Sequence, residues 1–324
     1  MQSRQHFDLA RVVLGESRRE FRQATKTALL ERGFRHVIDT DEMEGVRVCL
    51  TADMVDLVIC DGTLEGRYFC ELVRRLRHHE TGDNPFIVVL ATTEDASEGA
   101  VRHLIRCGAD DVILKPLAAE ALVRRVERFI SNRKPFAVTD DYIGPDRRGA
   151  PRPGEPEPLP LIEVPNPLQA RILNQITQSM LKRAVQDCWI RINECRIGRH
   201  SEQIERLVQP ILDAYASGTV NEATAGHLAL LLRAAEDLSA RLAGSRFDHV
   251  GKLAVTLIDV ARRIGGPGQA TDHRALDLLP RLSSAIAAAL VPVRESVRTS
   301  HAIRETVSRY SWGPQEGGTP GRLM

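Results

Sequence analysis

The sequence predicts an α/β protein: a doubly wound, five-stranded parallel sheet followed by an all-α helical bundle. Three observations carry that expectation. Ahead of residue 134, short β-branched apolar runs alternate with helical stretches. Beyond residue 167, apolar residues recur at three- and four-residue steps and no strand-like run stands out. Between them, eight of the seventeen prolines fall from Pro145 to Pro167. The 324 residues are about twice the ~150 of one domain. The expected division is a first domain over 10–133, a Pro/Arg-rich linker over 134–167, a helical output or interaction domain over 168–312, and a disordered tail over 313–324.

In the first domain the strand candidates are Arg11–Leu14, Val37–Asp39, Asp56–Cys60, Phe86–Ala91 and Asp111–Leu114. The intervening helices are expected over Ser17–Arg32, Glu42–Ala52, Cys70–His78, Ala96–Arg106 and Ala118–Asn132. Continuous apolar runs such as FIVVLA indicate strands buried on both faces, hence a parallel sheet covered by helices. The functional edge of such a sheet lies at the carboxyl ends of its strands. Prolines from Asp140 to Pro167 preclude a helix or central strand there. In the second domain, Leu173, Ile176, Met180, Ala184, Cys188, Ile192 and Cys195 trace one long helix over Leu168–Cys195. Helices follow over Glu202–Ala216, Glu222–Leu242, Phe247–Ile264 and Leu276–Leu290, with a loop at Gly265–Gly268. Pro292 is expected to start or kink a last segment reaching Tyr310.

Composition narrows the function classes. A net charge of +1 excludes a strongly basic nucleic-acid coat and an acidic tail protein. Only 4% of residues are aromatic, so the cores rest on Leu, Ile, Val and Ala. The six cysteines (Cys49, Cys60, Cys70, Cys107, Cys188 and Cys195) form no CxxC pair and no metal-binding spacing, as expected for free thiols in a reducing compartment. The amino-terminal stretch has no apolar signal core. The run near Leu282–Val291 is shorter than the ~20 residues that span a bilayer. A cytoplasmic protein without membrane contact is expected. There is no P-loop, nucleophile elbow or HExxH.

Four residues at strand carboxyl ends suggest chemistry: Glu16, Asp61, Thr92 and Lys115, the last followed by Pro116. Each alone has a plain structural reading, as a helix cap or a loop residue. Together they suit phosphoryl transfer to a carboxylate. Asp61 would accept, a divalent cation would offset charge, Lys115 would pair with a phosphoryl oxygen, and Thr92 would donate a hydrogen bond.

The segments DLVICDGTLEG, VVLATTED and GADDVILKP resemble the receiver domain of two-component response regulators, a flavodoxin-like fold, over roughly Val12–Arg133. The resemblance implies that Asp61 is the phospho-acceptor, with Lys115 and Thr92 completing the site. It implies Mg²⁺ held by Glu16, Asp61 and the backbone carbonyl of Thr63. A sensor histidine kinase or a phosphotransfer protein would be the donor. The only catalysis implied is the receiver's own phosphoryl transfer and autohydrolysis, not that of an independent enzyme. The sequence departs from the family at three positions. Gly15-Glu16 stands where two adjacent acids are usual, so Mg²⁺ is expected to bind weakly. Glu65 replaces a proline, and Val112 replaces the strand-five aromatic.

The function expected is therefore a response regulator phosphorylated on Asp61 and signalling through a helical domain that does not bind DNA. That domain could contact a protein partner or form a homodimer. Two alternatives are carried. One is a pseudo-receiver whose Arg147, Arg148 and Arg152 capture a cyclic dinucleotide such as cyclic di-GMP, after a resemblance to chemotaxis-regulator-like proteins with arginine-rich tails. The other is a transcriptional regulator with a helical DNA-binding output, for which Arg191, Arg196, Arg199 and His200 supply basic residues. A weak resemblance to histidine-phosphotransfer bundles places Glu236 where those carry the histidine.

Overall fold

The structure is a computed structural model, and it describes residues 5–52, 54–66, 68–116, 118–147, 161–174, 176–264 and 272–310, with backbone alone at 294 and 296–310. The expected tail, the Gly265–Gly268 loop and linker residues 148–160 lie outside the described residues. Two compact units divide the chain, Met1–Asn193 and Glu194–Met324. The expected boundaries at 133 and 167 are therefore displaced, because the first unit keeps everything up to Asn193.

The first unit is built on β1 (Arg11–Gly15), β2 (His36–Thr40), β3 (Leu57–Asp61), β4 (Val88–Thr93) and β5 (Asp111–Leu114). All pair in parallel in the order β2-β1-β3-β4-β5. Between them run α1 (Arg19–Arg32), α2 (Met43–Ala52), α3 (Tyr68–Arg77) and α4 (Glu98–Arg106), and α5 (Ala119–Ser131) follows β5. Gly33, at φ 111°, lets α1 end in a left-handed turn that bulkier residues resist. The two-residue period of a strand sorts side chains onto opposite faces. Val13, Val58, Cys60, Val89 and Ala91 face one core with Val46, Phe69 and Leu76. Val12, Leu14, Leu57, Ile59, Val88 and Leu90 face the other with Leu122, Val126 and Phe129.

The segment expected to be a linker is part of this unit. β6 (Phe136–Val138) pairs antiparallel with β7 (Ile143–Pro145) and β8 (Leu161–Ile162). α6 (Pro167–Ile172) then lays Leu168 and Ile172, both fully buried, into the second core. Side-chain amides fasten it: Asn166 Nδ2 donates to the Phe129 carbonyl at 2.6 Å, and Gln169 Nε2 to that of Ile130 at 2.7 Å. Among the described residues of the expected linker, Phe136 and Ile143 are buried, which fixes the flanks of the proline-rich stretch to the sheet. A buried ion cluster anchors the start of the segment. Arg77, fully buried, donates to the carbonyls of Pro85, Ile87 and Gly108 and pairs with Asp110 at 2.7 Å. Arg133 joins from the other side, its Nε 2.9 Å from Asp110 Oδ1.

The helices of the second unit are α7 (Gln178–Ala216), which begins in the first unit, α8 (Glu222–Leu242), α9 (Gly251–Arg263) and α10 (His273–Tyr310). Their core includes Ile197, Ile204, Ile211, Leu231, Leu238, Leu257, Ile286 and Leu290. α8 has the expected bounds, and Asn221 caps it by accepting from the backbone N–H groups of Ala223 and Thr224. Elsewhere the helix breaks move. The expected helix over 168–195 is split after Ile172, with Asn174 at φ 47° in the break. The break expected between Cys195 and Glu202 is absent, since Arg196, His200 and Ser201 are buried instead of exposed. α10 runs through both Pro280 and Pro292 instead of restarting at the latter. By length and composition alone, His273–Val293 is sufficient to cross a membrane. Its buried positions, among them Ala275, Leu279, Ile286, Leu290 and Val293, follow the three- and four-residue steps of a helix lying on a core.

Two outcomes follow. A fragment ending at Arg133 loses the burial of Phe136, Ile143, Leu168 and Ile172, so it should be less stable than one ending at Asn193 by on the order of 5 kcal/mol, read from urea midpoints. The second concerns Asp56, which is fully buried and accepts from Arg11 N at 2.9 Å and Arg171 Nε at 3.3 Å. Burial pushes its pKa up to about 6, against the lowering effect of those two partners. The folded state then binds more protons than the unfolded state between the ordinary value of 3.8 and about 6. Stability relative to Asp56→Asn should fall by on the order of 2 kcal/mol as pH rises through that window, measured by denaturant unfolding at several pH values.

Candidate functional site

The carboxyl edge of the sheet collects the four residues singled out in the sequence. Glu16 directly follows β1, Asp61 ends β3, Thr92 lies in β4 and Lys115 directly follows β5. Register does the assembly: Gly15 pairs with Cys60, so Glu16 and Asp61 are neighbours, and Asp61 pairs with Thr92. All four are buried, with Asp61 6% and Lys115 8% exposed.

Lys115 Nζ binds Asp61 Oδ2 at 2.6 Å and also a carboxylate oxygen of Glu16. One ammonium thus holds two carboxylates that lie 54 and 99 residues away in the chain. The other Asp61 oxygen accepts from Thr63 twice, from the backbone N–H at 2.8 Å and from Oγ1 at 2.7 Å. Burial alone would raise the Asp61 pKa, but the bonds from Lys115 and Thr63 outweigh it and hold the carboxyl below its ordinary value. The Thr92 side chain is buried, and its carbonyl accepts from Gly62 N at 2.8 Å.

Residues that the sequence reading did not single out close the pocket. Arg18 N donates to Glu16 Oε1 at 3.0 Å, and the Arg18 guanidinium pairs with Glu94 just past β4. Arg18 also lies over the Phe21 ring at 4.1 Å, and Lys115 Nζ sits 5.4 Å from the same ring. Arg22 donates to the Glu16 carbonyl at 2.5 Å. The signal available for Arg18 was its place two residues after Glu16. Nothing local marked Phe21 or the Thr63 hydroxyl, whose roles come from how the loops fold.

The three departures from the receiver pattern have local causes or consequences. A Cβ added to Gly15 would come within 2.8 Å of both Cys60 Sγ and Val46 Cγ2, so the backbone here has no room for a second acid. Glu65 has φ 50°, which proline cannot adopt. Its carboxylate instead accepts from Met43 N at 3.3 Å, at the start of α2. Val112 is half-buried against the first core and offers no ring to swing inward.

For a divalent cation, the pocket supplies hard oxygens from Glu16 and Asp61. The Thr63 carbonyl already accepts from Gly66 N at 3.0 Å and keeps its second lone pair. This set fits Mg²⁺ carrying several waters, in competition with Lys115 for both carboxylates. No cluster of three or more His, Cys, Asp or Glu with metal-binding geometry occurs among the described residues.

The other candidate residues fare differently. Arg147 does not face a ligand: its guanidinium donates to the carbonyls of Ala109, at 2.8 Å, and Asp110. Arg148 and Arg152 lie outside the described residues. Arg196 and His200 are buried in the helical unit, where Asp237 Oδ2 lies 2.9 Å from Arg196 Nη2, 2.5 Å from His200 Nε2 and 2.6 Å from Arg241 Nε. Burial alone would raise the Asp237 pKa, but these partners drive it far below the ordinary value. Glu236 is exposed and pairs with Arg262 at 2.7 Å.

The similarity to known proteins lies in the first unit. Residues 12–127 match the family described as response regulator receiver domain, and that portion of the chain is a receiver of the two-component type. The phosphate regulon transcriptional regulatory protein PhoB of Rhizobium meliloti is 35% identical over 104 residues, covering 32% of this chain and 43% of that protein. Response regulator MprA of Mycobacterium leprae is 27% identical over 125 residues, covering 39% and 53%. The chain thus spans about half the length of the curated relatives it matches. A response regulator structure from Thermotoga maritima aligns at 29% identity and TM-score 0.34, covering 38% of this chain and 100% of that one. Chemotaxis response regulator CheY4 of Vibrio cholerae aligns at 20% identity and TM-score 0.34, covering 37% and 98%.

If space excludes the second acid, restoring it should fail. Gly15→Asp should lower stability by about 1–3 kcal/mol and leave Mg²⁺ affinity no tighter than in the unsubstituted protein, as measured by urea unfolding and calorimetric titration.

Proposed function

We propose that this chain, whose residues 12–127 form a receiver domain, is the response regulator of a two-component phosphorelay that accepts a phosphoryl group on Asp61 and signals through protein contacts of its helical unit. The observation that carries the reading is the Lys115 ammonium bound to both Asp61 and Glu16 at the carboxyl edge of the sheet.

In the proposed step an Asp61 carboxylate oxygen attacks phosphorus. The new P–O bond forms as the P–N bond to a donor histidine breaks. The electron pair stays on the imidazole nitrogen, which takes a proton from solvent. The lowered Asp61 pKa keeps the carboxylate ionised at neutral pH. Mg²⁺, held weakly by Glu16, Asp61 and the Thr63 carbonyl, would offset charge on the transferring group. Lys115 exchanges its bond to Asp61 for one to a phosphoryl oxygen, and the Thr92 hydroxyl, one strand away, donates to another. The added ~−1.5 to −2 charge falls in a buried pocket, so loop positions around β4 and β5 shift with it. Val112 cannot report that shift as an aromatic would, and the Arg18–Glu94 pair over the pocket is the contact best placed to change. The donor is a sensor histidine kinase or a phosphotransfer protein.

For the output, Arg196 and His200 are buried against Asp237 and are not placed to enter a groove, whereas Arg191 is exposed and Arg199 half-buried; the output we propose is protein contact.

Incubation with acetyl phosphate and Mg²⁺ should give one phosphoryl adduct by intact mass, absent in Asp61→Ala. Labelling should persist through neutral pH and decline only as pH falls below the usual carboxylate range, since the folded Asp61 pKa is lowered. Equal labelling of Asp61→Ala, or none in the unsubstituted protein, would overturn the reading.

A further inference from the structure

Two cysteines of the first unit meet away from the Asp61 pocket. Cys70 lies in the first turn of α3, two residues from Tyr68, which is 60% exposed. Cys107 is the residue that ends α4. Both are buried and both thiols are free. They converge on the last turn of α4. Cys107 Sγ lies 3.0 Å from the Leu104 carbonyl, and Cys70 Sγ lies 3.9 Å from the His103 carbonyl, which also accepts from Cys107 N at 3.2 Å. The two thiols, 37 positions apart in the chain, share a hydrogen bond, a contact from which a sulfur–sulfur bond can close.

The pair is not symmetric. The hydrogen bond from Cys107 is the largest influence on the Cys70 thiol. With the Arg74 guanidinium one turn on, it holds that thiol below its ordinary value against the opposing effect of burial. The same bond, with burial, pushes Cys107 up. The start of a helix also favours a thiolate. Cys70 is therefore the nucleophile of the pair. Cys60, by contrast, is fully buried, and its thiol is pushed up by that burial.

We propose that Cys70 and Cys107 form an oxidant-responsive dithiol, which closes to a disulfide when a small peroxide reaches Cys70. In the first step the Cys70 sulfur attacks one peroxide oxygen. The S–O bond forms, the O–O bond breaks, and the second oxygen leaves as hydroxide that takes a proton from solvent. In the second step the Cys107 sulfur attacks that of Cys70. The S–S bond forms, the S–O bond breaks, and the departing hydroxyl leaves as water with the proton that Cys107 gives up. Two thiols are oxidised, one peroxide is reduced, and two waters are released. Because both sulfurs are buried, the reaction proceeds through local opening at the start of α3, which admits a small oxidant. The bond ties that start to the end of α4, whose Leu104 lies directly over Gly62, the residue after Asp61. It uses no residue of the Asp61 pocket, so its formation does not rest on phosphorylation.

The full chain, reduced and then freed of reductant, is treated with hydrogen peroxide, alkylated with N-ethylmaleimide in denaturant, and digested without reduction. The expected result is alkylation of four of the six cysteines, with one cross-linked peptide joining Cys70 to Cys107 that dithiothreitol releases. In Cys107→Ser the cross-link is lost, and dimedone, which traps sulfenic acid, adds at Cys70. In Cys70→Ser neither product forms. The peptide map of the unsubstituted chain decides the question even where a variant folds poorly. Alkylation of all six cysteines after peroxide would overturn the proposal. So would a cross-link at any other pair, or oxidation of Cys70 beyond sulfenic acid with no cross-link to Cys107.

Discussion

The candidate site depends on one ammonium group. Two buried carboxylates side by side repel strongly, and a counter-charge between them offsets that repulsion. Lys115 supplies it to both Glu16 and Asp61. The parallel direction of the strands puts their carboxyl ends at one edge, and the order β1-β3-β4-β5 makes the end of β3 the neighbour of those of β1 and β4, with β5 beyond β4. The Lys115 pairing also gives the missing acid a context. A further carboxylate at position 15 would need a second compensating charge, and Cys60 and Val46 already fill the space. The pocket thus sets one ammonium against two carboxylates, with Asp61 tethered on both oxygens.

A second ion cluster does structural work at the other edge. Asp110 sits between Arg77 and Arg133, and its pKa is held low by those two guanidinium groups in spite of full burial. Arg77 satisfies three backbone carbonyls as well. Through this cluster the chain after α5 turns back on the sheet, and Phe136 packs edge-on to Phe86 with ring centroids 5.9 Å apart. The receiver consequently has an added antiparallel sheet and α6 as integral parts of its body.

Much of this was readable from residues alone. The β-branched runs located all five strands because a buried parallel strand is apolar on both faces, and the polar residues just past those runs are the ones that meet in the pocket. α8 was legible to the residue because Asn221 caps it and its apolar stripe is uninterrupted. The failures share a cause. Where burial is achieved by pairing polar groups, a polar residue no longer signals exposure. Arg196 and His200 interrupt an apolar stripe in the sequence but not the helix, because Asp237 meets them inside. Arg147 looked available for a ligand, yet it is occupied by the carbonyls of Ala109 and Asp110. The Thr63 hydroxyl and the Arg18–Phe21 cover depend on loop conformation, for which spacing carries no signal.

The contact of Asp237 with Arg196, His200 and Arg241 has a mechanical meaning for the helical unit. Sliding α8 by one turn past α7 would strand guanidinium groups in hydrocarbon, at a cost of several kcal/mol. Apolar side chains such as Leu231 and Ile204 tolerate small offsets, whereas this knot does not. The contact therefore opposes travel of one helix along the other.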